Sequence, residues 1–207
     1  MIKVACHLGL GDLIAISPII AKLATVNYDM IIVLPCYKHN RVSVESIFVN
    51  YPNVQIDILE DDSQFFDCTF RLGQYNTLMP IEQEEDFVSW FYRQASMRFD
   101  QISKYNPIPD ACMAFPVAPY LVPVFIHDDE TRGFNIPVIG DRPVNNGKSI
   151  LRHWSHITHA EEIHCIDSAF FHLVNLLPTT GNLTYHRYVR KTESNNFKLT
   201  KNWKVLE

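Results

Sequence analysis

The chain of 207 residues carries 23 acidic and 18 basic side chains, and its net charge of −5 gives no reason to expect nucleic-acid binding. Its hydrophobic content of 47% supports a substantial core, in one large domain or two small ones. Five scattered cysteines without metal-ligand spacing, no signal peptide and no long apolar run predict a cytoplasmic protein with reduced thiols and no membrane-spanning segment.

The first half of the chain alternates segments typical of strands and helices. Strands are predicted at 2–6, 30–34 and 54–59, with helices at 12–24 and 41–48 between them. This β-α-β-α-β order indicates a Rossmann-like parallel sheet. Residues 84–97 follow with aromatic side chains at helical spacing, which we expect to belong to the core rather than to a cofactor site.

The middle of the chain is rich in proline, with five prolines between residues 106 and 123. Neither a helix nor a central strand tolerates that density, so a linker is predicted there. A second β-α-β set follows, with strands predicted at 120–126 and 163–166. Residues 146–156 lead into a helix between these strands, and a further helix is predicted at 168–177. We therefore expect an α/β fold of two Rossmann-like lobes, 1–118 and 119–207, separated by a cleft. The second lobe is reduced, and the C-terminal segment is available to pack back on the first lobe.

Two turns between a strand and a helix carry the candidate site residues. In the first, Gly9 and Gly11 let the backbone approach a ligand, and Asp12 either caps the following helix or takes part in chemistry. In the second, Ser168 begins a helix whose backbone N–H groups suit a diphosphate, with His172 one turn further along. The alternative for Asp167 and Ser168 is that they only cap this helix.

Residues 7–23, HLGLGDLIAISPIIAKL, resemble the opening of family 9 glycosyltransferases, the bacterial heptosyltransferase group. Residues 167–172, DSAFFH, resemble the Asp-Ser/Thr-Gly-x-x-His segment of the same family. The resemblance implies a GT-B fold with a nucleotide-sugar held between the lobes. It implies that Asp12 is the general base that deprotonates an acceptor hydroxyl. The implied substrate-binding residues are Gly9, Leu10, Gly11, Asp167, Ser168 and His172, the last three contacting the diphosphate or ribose of the donor.

The chain departs from that family in three ways. It is much shorter, it has Ala169 where the family has glycine, and no lysine follows the first strand of the second lobe. Arg132 follows that strand instead, somewhat like the arginine-bearing loop of fucosyltransferases. A guanidinium suits bidentate contact with a diphosphate. We predict that Arg132 binds the donor phosphates, the alternative being a surface arginine paired with Asp128 or Asp129. His127 is a further substrate-binding candidate.

The resulting functional prediction is a metal-independent glycosyltransferase of glycan biosynthesis, which takes a nucleotide-sugar as donor substrate and needs no cofactor. Its acceptor is a hydroxyl on a glycan or a lipid-linked molecule. The alternative is a catalytically inactive GT-B-like protein that binds a nucleotide or sugar, or serves in assembly. The histidine-rich stretch at 153–164 lacks a zinc motif and is interpreted as the solvent-exposed surface of a helix. The turn at Gly9 lacks the third glycine of the dinucleotide fingerprint, and no P-loop motif is present.

Overall fold

The computed structural model describes residues 1–61, 67–83, 85–120, 122–144, 147–190 and 200–207. Strands and helices alternate along most of this length. The strands are β1 (Ile2–Ala5), β2 (Ile32–Tyr37), β3 (Val54–Leu59), β4 (Phe70–Arg71), β5 (Val124–His127), β6 (Glu162–Cys165), β7 (Asn182–His186) and β8 (Trp203–Leu206). The helices are α1 (Leu10–Ala15), α2 (Ser17–Val26), α3 (Arg41–Ile47), α4 (Phe87–Gln94), α5 (Ile102–Tyr105), α6 (Ile108–Cys112), α7 (Trp154–His159) and α8 (Ala169–Leu176).

The first sheet has the order β3-β2-β1-β4, and all of its strand pairs are parallel. Helices cross over between β1 and β2 and between β2 and β3, as the alternating pattern predicts. The parallel sheet predicted for the first half is therefore confirmed. Strand β4 was not predicted, because its two residues are too short to give an alternating pattern.

The single helix predicted over 12–24 is wrong, since two helices, α1 and α2, meet at Ile16. Pro18 stands in the first turn of α2. A proline has no N–H to donate to the preceding turn, and its ring collides with the carbonyl four residues earlier, so a continuous helix is interrupted here. Helix α1 also begins two residues earlier than predicted, at Leu10.

The proline-rich segment is partly helical, which corrects the prediction that no helix would form there. Pro107 caps α6 and Pro109 lies in its first turn, where the missing N–H group has no helical partner to lose. Ile108, Ala111 and Cys112 are buried in the core. The aromatic stripe predicted in 84–97 lies on α4, and its burial is confirmed by Phe91. Residue 84 itself lies outside the described residues.

The second sheet is also fully parallel and has the order β5-β6-β7-β8. Asp141 forms an isolated bridge with Phe125 alongside β5. The C-terminal residues Trp203–Leu206 are the fourth strand of this sheet and so belong to the second lobe. Residues 121, 145 and 146 of the predicted second set lie outside the described residues. The parts of the chain that carry the two sheets are called the first lobe and the second lobe; the boundary at residue 118 stays a prediction.

One cluster of buried apolar side chains continues through both lobes. It contains Leu13 and Phe91 from the first lobe together with Phe125 and Phe171 from the second. Helices α1 and α8 pack directly against each other at its centre. The Ile150 N–H also donates a hydrogen bond of 3.0 Å to Ser43 Oγ across the lobes. The core therefore fixes the relative position of the two strand-to-helix turns.

Candidate functional site

The first turn runs from β1 into α1 and brings the carboxylate of Asp12 back over Gly9. Gly9 is the N-cap residue of α1 and has an extended conformation, while Asp12 is the third residue of the helix. A Cβ atom at Gly9 would lie 2.8 Å from Asp12 Oδ2. Because that distance is shorter than any ordinary contact, glycine leaves the space that this carboxylate position needs. The side chain of Asp12 is half-buried.

The second turn runs from β6 into α8 and begins with Asp167 and Ser168. Ser168 is the N-cap residue, and its Oγ accepts a hydrogen bond of 3.4 Å from the Phe171 N–H. The capping role considered for Ser168 is thus confirmed. The carbonyl oxygen of Asp167 accepts a hydrogen bond of 2.6 Å from Arg190 Nη1. A cationic side chain therefore lies directly beside the start of α8.

The two turns meet at Gly11. A Cβ atom at Gly11 would lie 3.6 Å from both the nitrogen and the Cα of Ala169, the first residue of α8. Each turn follows the carboxyl end of a strand in a parallel sheet, which is where α/β proteins bind ligands. The structure thus brings together Gly11 and the Asp167–Ser168 turn, which are separated by most of the chain.

His172 lies inside the contact between the two helices. Its Cδ2 is 3.2 Å from the position of a Cβ at Gly11, and its side chain is buried. Burial lowers the pKa of His172 to about 4, although the nearby Asp167 acts in the opposite direction. At neutral pH this imidazole is uncharged and packs between α1 and α8. Its predicted contact with a donor stays a prediction.

Arg132 lies after β5, in a short 3-10 turn that Asp129 caps. It forms an ion pair with Asp129, so the surface pairing considered for this arginine is observed. Its guanidinium also lies over the ring of Phe134, 5.5 Å from the ring centre. A hydrogen bond from the Thr131 hydroxyl, together with Arg132, holds the pKa of Asp129 below its usual value. The guanidinium remains about half exposed, at 55% of the side chain.

Arg190 is a neighbour of this loop that the sequence did not single out. Its guanidinium lies 5.9 Å from the centre of the Phe134 ring, the same ring that Arg132 covers. Since Arg190 also binds the Asp167 carbonyl, it connects the Arg132 loop to the start of α8. In the sequence Arg190 stands among other basic residues, such as Arg187 and Lys191, and no local motif marks it. Two guanidinium groups therefore lie within 6 Å of one ring beside the second turn.

His127 lies at the end of β5 and stacks on Phe170, with ring centres 4.2 Å apart. Its Nδ1 is buried and has no hydrogen-bond partner within the described part of the chain. Burial lowers its pKa to about 4, which keeps the imidazole neutral at physiological pH. Phe170 belongs to the first turn of α8, so His127 is held close to the predicted donor side.

A pocket of about 410 Å³ opens between the lobes next to these turns. Leu10, His39 and Ser43 line it from the first lobe. Its second-lobe lining includes Phe125, Asp141, Arg142, Lys148, Arg152, His153, His156 and Phe170. The lining combines residues of both lobes, so no single stretch of the sequence indicates the pocket. Of the predicted site residues, Leu10 lines it.

The histidine-rich stretch does not form one solvent-exposed helix face, so the interpretation of this stretch from the sequence is wrong. His153 and His156 line the pocket, whereas His164 lies on β6 and is buried. His164 Nδ1 is 2.8 Å from His186 Nε2 on the neighbouring strand. Only His159, at the end of α7, is exposed. Within the described ranges no three His, Cys, Asp or Glu side chains are grouped so as to hold a metal ion.

No helix among the described residues has the length and apolar character needed to cross a membrane. Searches of protein families, curated proteins and solved structures found no match to this chain.

Proposed function

We propose that this chain is a glycosyltransferase of the GT-B type, which transfers a sugar from a nucleotide-sugar to a hydroxyl of a glycan or lipid-linked acceptor. The observation that carries the proposal is the contact of Gly11 with Ala169. It joins the turn that contains Asp12 to the turn that contains Asp167 and Ser168, at the carboxyl ends of two parallel sheets. These are the two segments in which the sequence resembles family 9 glycosyltransferases.

The second lobe supplies the groups that a nucleotide-sugar donor requires. As the glycosidic bond breaks, negative charge grows on the departing diphosphate, and fixed cations or N–H groups stabilise it. Arg132 and Arg190 are two such cations, both within 6 Å of the Phe134 ring centre. The backbone N–H groups at the start of α8 lie beside Arg190, because this arginine binds the carbonyl of Asp167. In this proposal the diphosphate lies between Arg132 and Ser168.

The first lobe supplies the base. The carboxylate of Asp12 lies over Gly9, in the turn that touches α8. A carboxylate in this position accepts the proton of the acceptor hydroxyl as the new glycosidic bond forms. The position does not depend on a long flexible side chain, because the helix backbone fixes it.

The alternative is a protein of the same architecture that binds a nucleotide or sugar without catalysis. Two observations favour it: His172 is buried between the helices, and Arg132 is already paired with Asp129. In this alternative the two turns still bind a ligand, but Asp12 serves only the structure of α1.

The test has two stages. Thermal unfolding is first measured with UDP, GDP, ADP and CDP, because a ligand that binds only the folded chain raises the midpoint temperature. The sugar nucleotides of any stabilising base are then assayed for hydrolysis and for transfer to a mixture of hydroxyl acceptors. Stabilisation with turnover supports the transferase, and stabilisation without turnover supports the binding protein. If no nucleoside diphosphate at millimolar concentration stabilises the chain, both are overturned.

A further inference from the structure

The pocket between the lobes has an excess of positive charge. Among the described residues that line it, Asp141 is the single carboxylate, while Arg142, Lys148 and Arg152 are cationic. The charge of Arg142 is already compensated, because its Nε lies 3.1 Å from the carboxylate of Asp128, whose side chain is only 4% exposed. Lys148 and Arg152 thus outnumber Asp141, and the pocket keeps an excess of positive charge for a ligand.

Lys148 and Arg152 have no ion-pair partner in the described part of the chain, although both line the pocket. Burial, followed by the repulsion of His156 and Arg152, lowers the pKa of His153 to about 4. A negatively charged group in the pocket would relieve this repulsion. The pocket is therefore electrostatically suited to an anion.

The rest of the lining suits an organic molecule rather than a free inorganic ion. Phe125, Phe170 and Val122 form apolar wall, and the exposed ring of Tyr120 lies 5.4 Å from the ring of His156. The volume of about 410 Å³ is within the range of small-molecule sites. A ligand with one anionic group and a larger neutral body matches this combination of cations and apolar wall.

The pocket borders both turns, because Leu10 lines it from the start of α1 and Phe170 from the start of α8. Leu10 lines the pocket, whereas the next residue, Gly11, contacts Ala169 at the start of α8. Asp12 therefore belongs to a turn that borders the pocket on one side and α8 on the other. Arg132 and Ser168, the predicted donor residues, do not belong to the described lining of the pocket.

We infer that this pocket binds an anionic acceptor, a sugar unit that carries a phosphate or a carboxylate, through Lys148 and Arg152. The assignment as the acceptor site rests on the proposed function, whereas the binding of a sugar anion does not. The donor diphosphate and the acceptor anion then have separate cations, Arg132 and Arg190 for the first and Lys148 and Arg152 for the second.

The experiment titrates the full chain with glucose 6-phosphate, glucuronate and uncharged glucose, observing the histidine ring signals by NMR. We expect saturable binding of glucose 6-phosphate or glucuronate, the two arms separating phosphate from carboxylate, and much weaker binding of glucose. The signals of His153 and His156 should shift, and the pKa of His153 should rise in the complex. The double variant Lys148→Gln/Arg152→Gln should weaken binding by roughly 10- to 100-fold, as expected for loss of charged hydrogen bonds.

The matched control is Lys104→Gln/Lys204→Gln, which removes the same charge from exposed positions outside the pocket lining. It should change the affinity by no more than about twofold, because exposed distant charges are screened by salt. Equal binding of glucose and its charged relatives, or equal loss in both double variants, would overturn the anion site. UDP and GDP are titrated in the same way. If either displaces the sugar anion, and the double variant Lys148→Gln/Arg152→Gln weakens the binding of both ligands, the pocket belongs to the donor and the acceptor assignment is overturned. A sugar anion bound at His153 when no nucleoside diphosphate binds would leave the anion site standing while the proposed function fails.

Discussion

Gly11 and His172 are packed so closely that a methyl group on Gly11 would lie 3.2 Å from the imidazole Cδ2. The contact joins the first turn of α1 to α8, and so joins the two lobes. The Cα of Ala169 would lie 3.6 Å from the same position, at ordinary van der Waals contact. The lack of a side chain at Gly11 is what lets the two turns touch.

The first prediction concerns this contact. Gly11→Ala should lower the free energy of unfolding by about 1 kcal/mol, because overpacking of a tight contact exceeds the gain in helix propensity. In a His172→Ala background the same change should be neutral or stabilising, since the colliding ring is gone. Urea denaturation of the four proteins measures the coupling between the two positions. Identical effects in both backgrounds would mean that the ring and the new methyl do not collide.

The second prediction concerns the proposed base. Asp12→Asn should reduce turnover by roughly 10²- to 10⁴-fold, the usual contribution of a general base, with little change in affinity for the nucleoside diphosphate. Asp110→Asn is the matched control, because Asp110 is likewise an acidic residue in the first turn of a short helix. Turnover near that of the parent protein in Asp12→Asn would reduce Asp12 to a structural residue of α1.

The third prediction tests the position of that carboxylate without removing it. Gly9 has φ −64° and ψ 139°, which alanine adopts freely. The new Cβ in Gly9→Ala would meet Asp12 Oδ2 at 2.8 Å, so the carboxylate must turn away. Turnover should fall by roughly 10- to 100-fold, as for other small misplacements of a reacting group. Stability should change by less than about 1 kcal/mol. A large loss of stability with unchanged turnover of the folded fraction would contradict this account.

The fourth prediction concerns the arginines beside the second turn. Arg132→Ala should weaken binding of the nucleoside diphosphate by about 1.5–3 kcal/mol, and Arg190→Ala by a similar amount. Arg132→Lys should recover only part, because an ammonium cannot make the bidentate contact. The control is Arg41→Ala, which also removes an arginine from a local surface ion pair, in this case with Glu45. If Arg132→Ala binds as tightly as the parent, the diphosphate lies elsewhere.

The fifth prediction concerns acid stability. Burial lowers the pKa of four histidines to about 4, namely His127, His153, His172 and His186. In the unfolded chain each has its ordinary pKa of about 6.5 and takes up a proton at higher pH than the folded chain does. Stability is therefore complete above pH 6.5 and declines as the pH falls through this window to about 4. Each histidine contributes up to about 1.4 kcal/mol per pH unit.

Urea denaturation at pH 7.5, 6.5, 5.5 and 4.5 measures this decline. His172→Gln should flatten the dependence on pH by about one proton, whatever it does to stability at pH 7.5. His159→Gln is the matched control, because His159 is exposed at the end of α7. An unchanged slope in His172→Gln would show that this imidazole has the same pKa in the folded and unfolded chains, and would contradict the prediction.

The sequence was sufficient to predict elements that have a strong local pattern. The continuous apolar run before Pro35 identifies a buried strand, and the alternating residues of β3 identify a half-buried one. The glycines before Asp12 identify the turn. Strand β8 was missed, because four residues at the end of a basic segment are recognisable only beside β7. The break at Ile16 was missed because the apolar spacing continues through it, although Pro18 carries the signal.

The site divides in the same way. Gly9, Asp12 and Ser168 belong to motifs that are local in the chain, so their positions at helix starts could be predicted. The place of Arg190 and the pocket could not be predicted, because tertiary packing brings Arg190 to Asp167 and joins the pocket lining of the two lobes. Arg190 and Asp167 are separated by 23 residues of sequence. The sequence shows Arg190 only as one of several basic residues, which does not predict this contact.

The shared core has a consequence for how the molecule loses its structure. Leu13 and Phe171 belong to one buried cluster, so the two lobes share their main core. Each lobe, cut from the other, would leave a large apolar face in water. The chain should therefore melt in one cooperative calorimetric transition, with equal calorimetric and van't Hoff enthalpies. For the same reason, the pocket between the lobes can widen only as far as side chains and loops move, since a hinge would have to open the core itself.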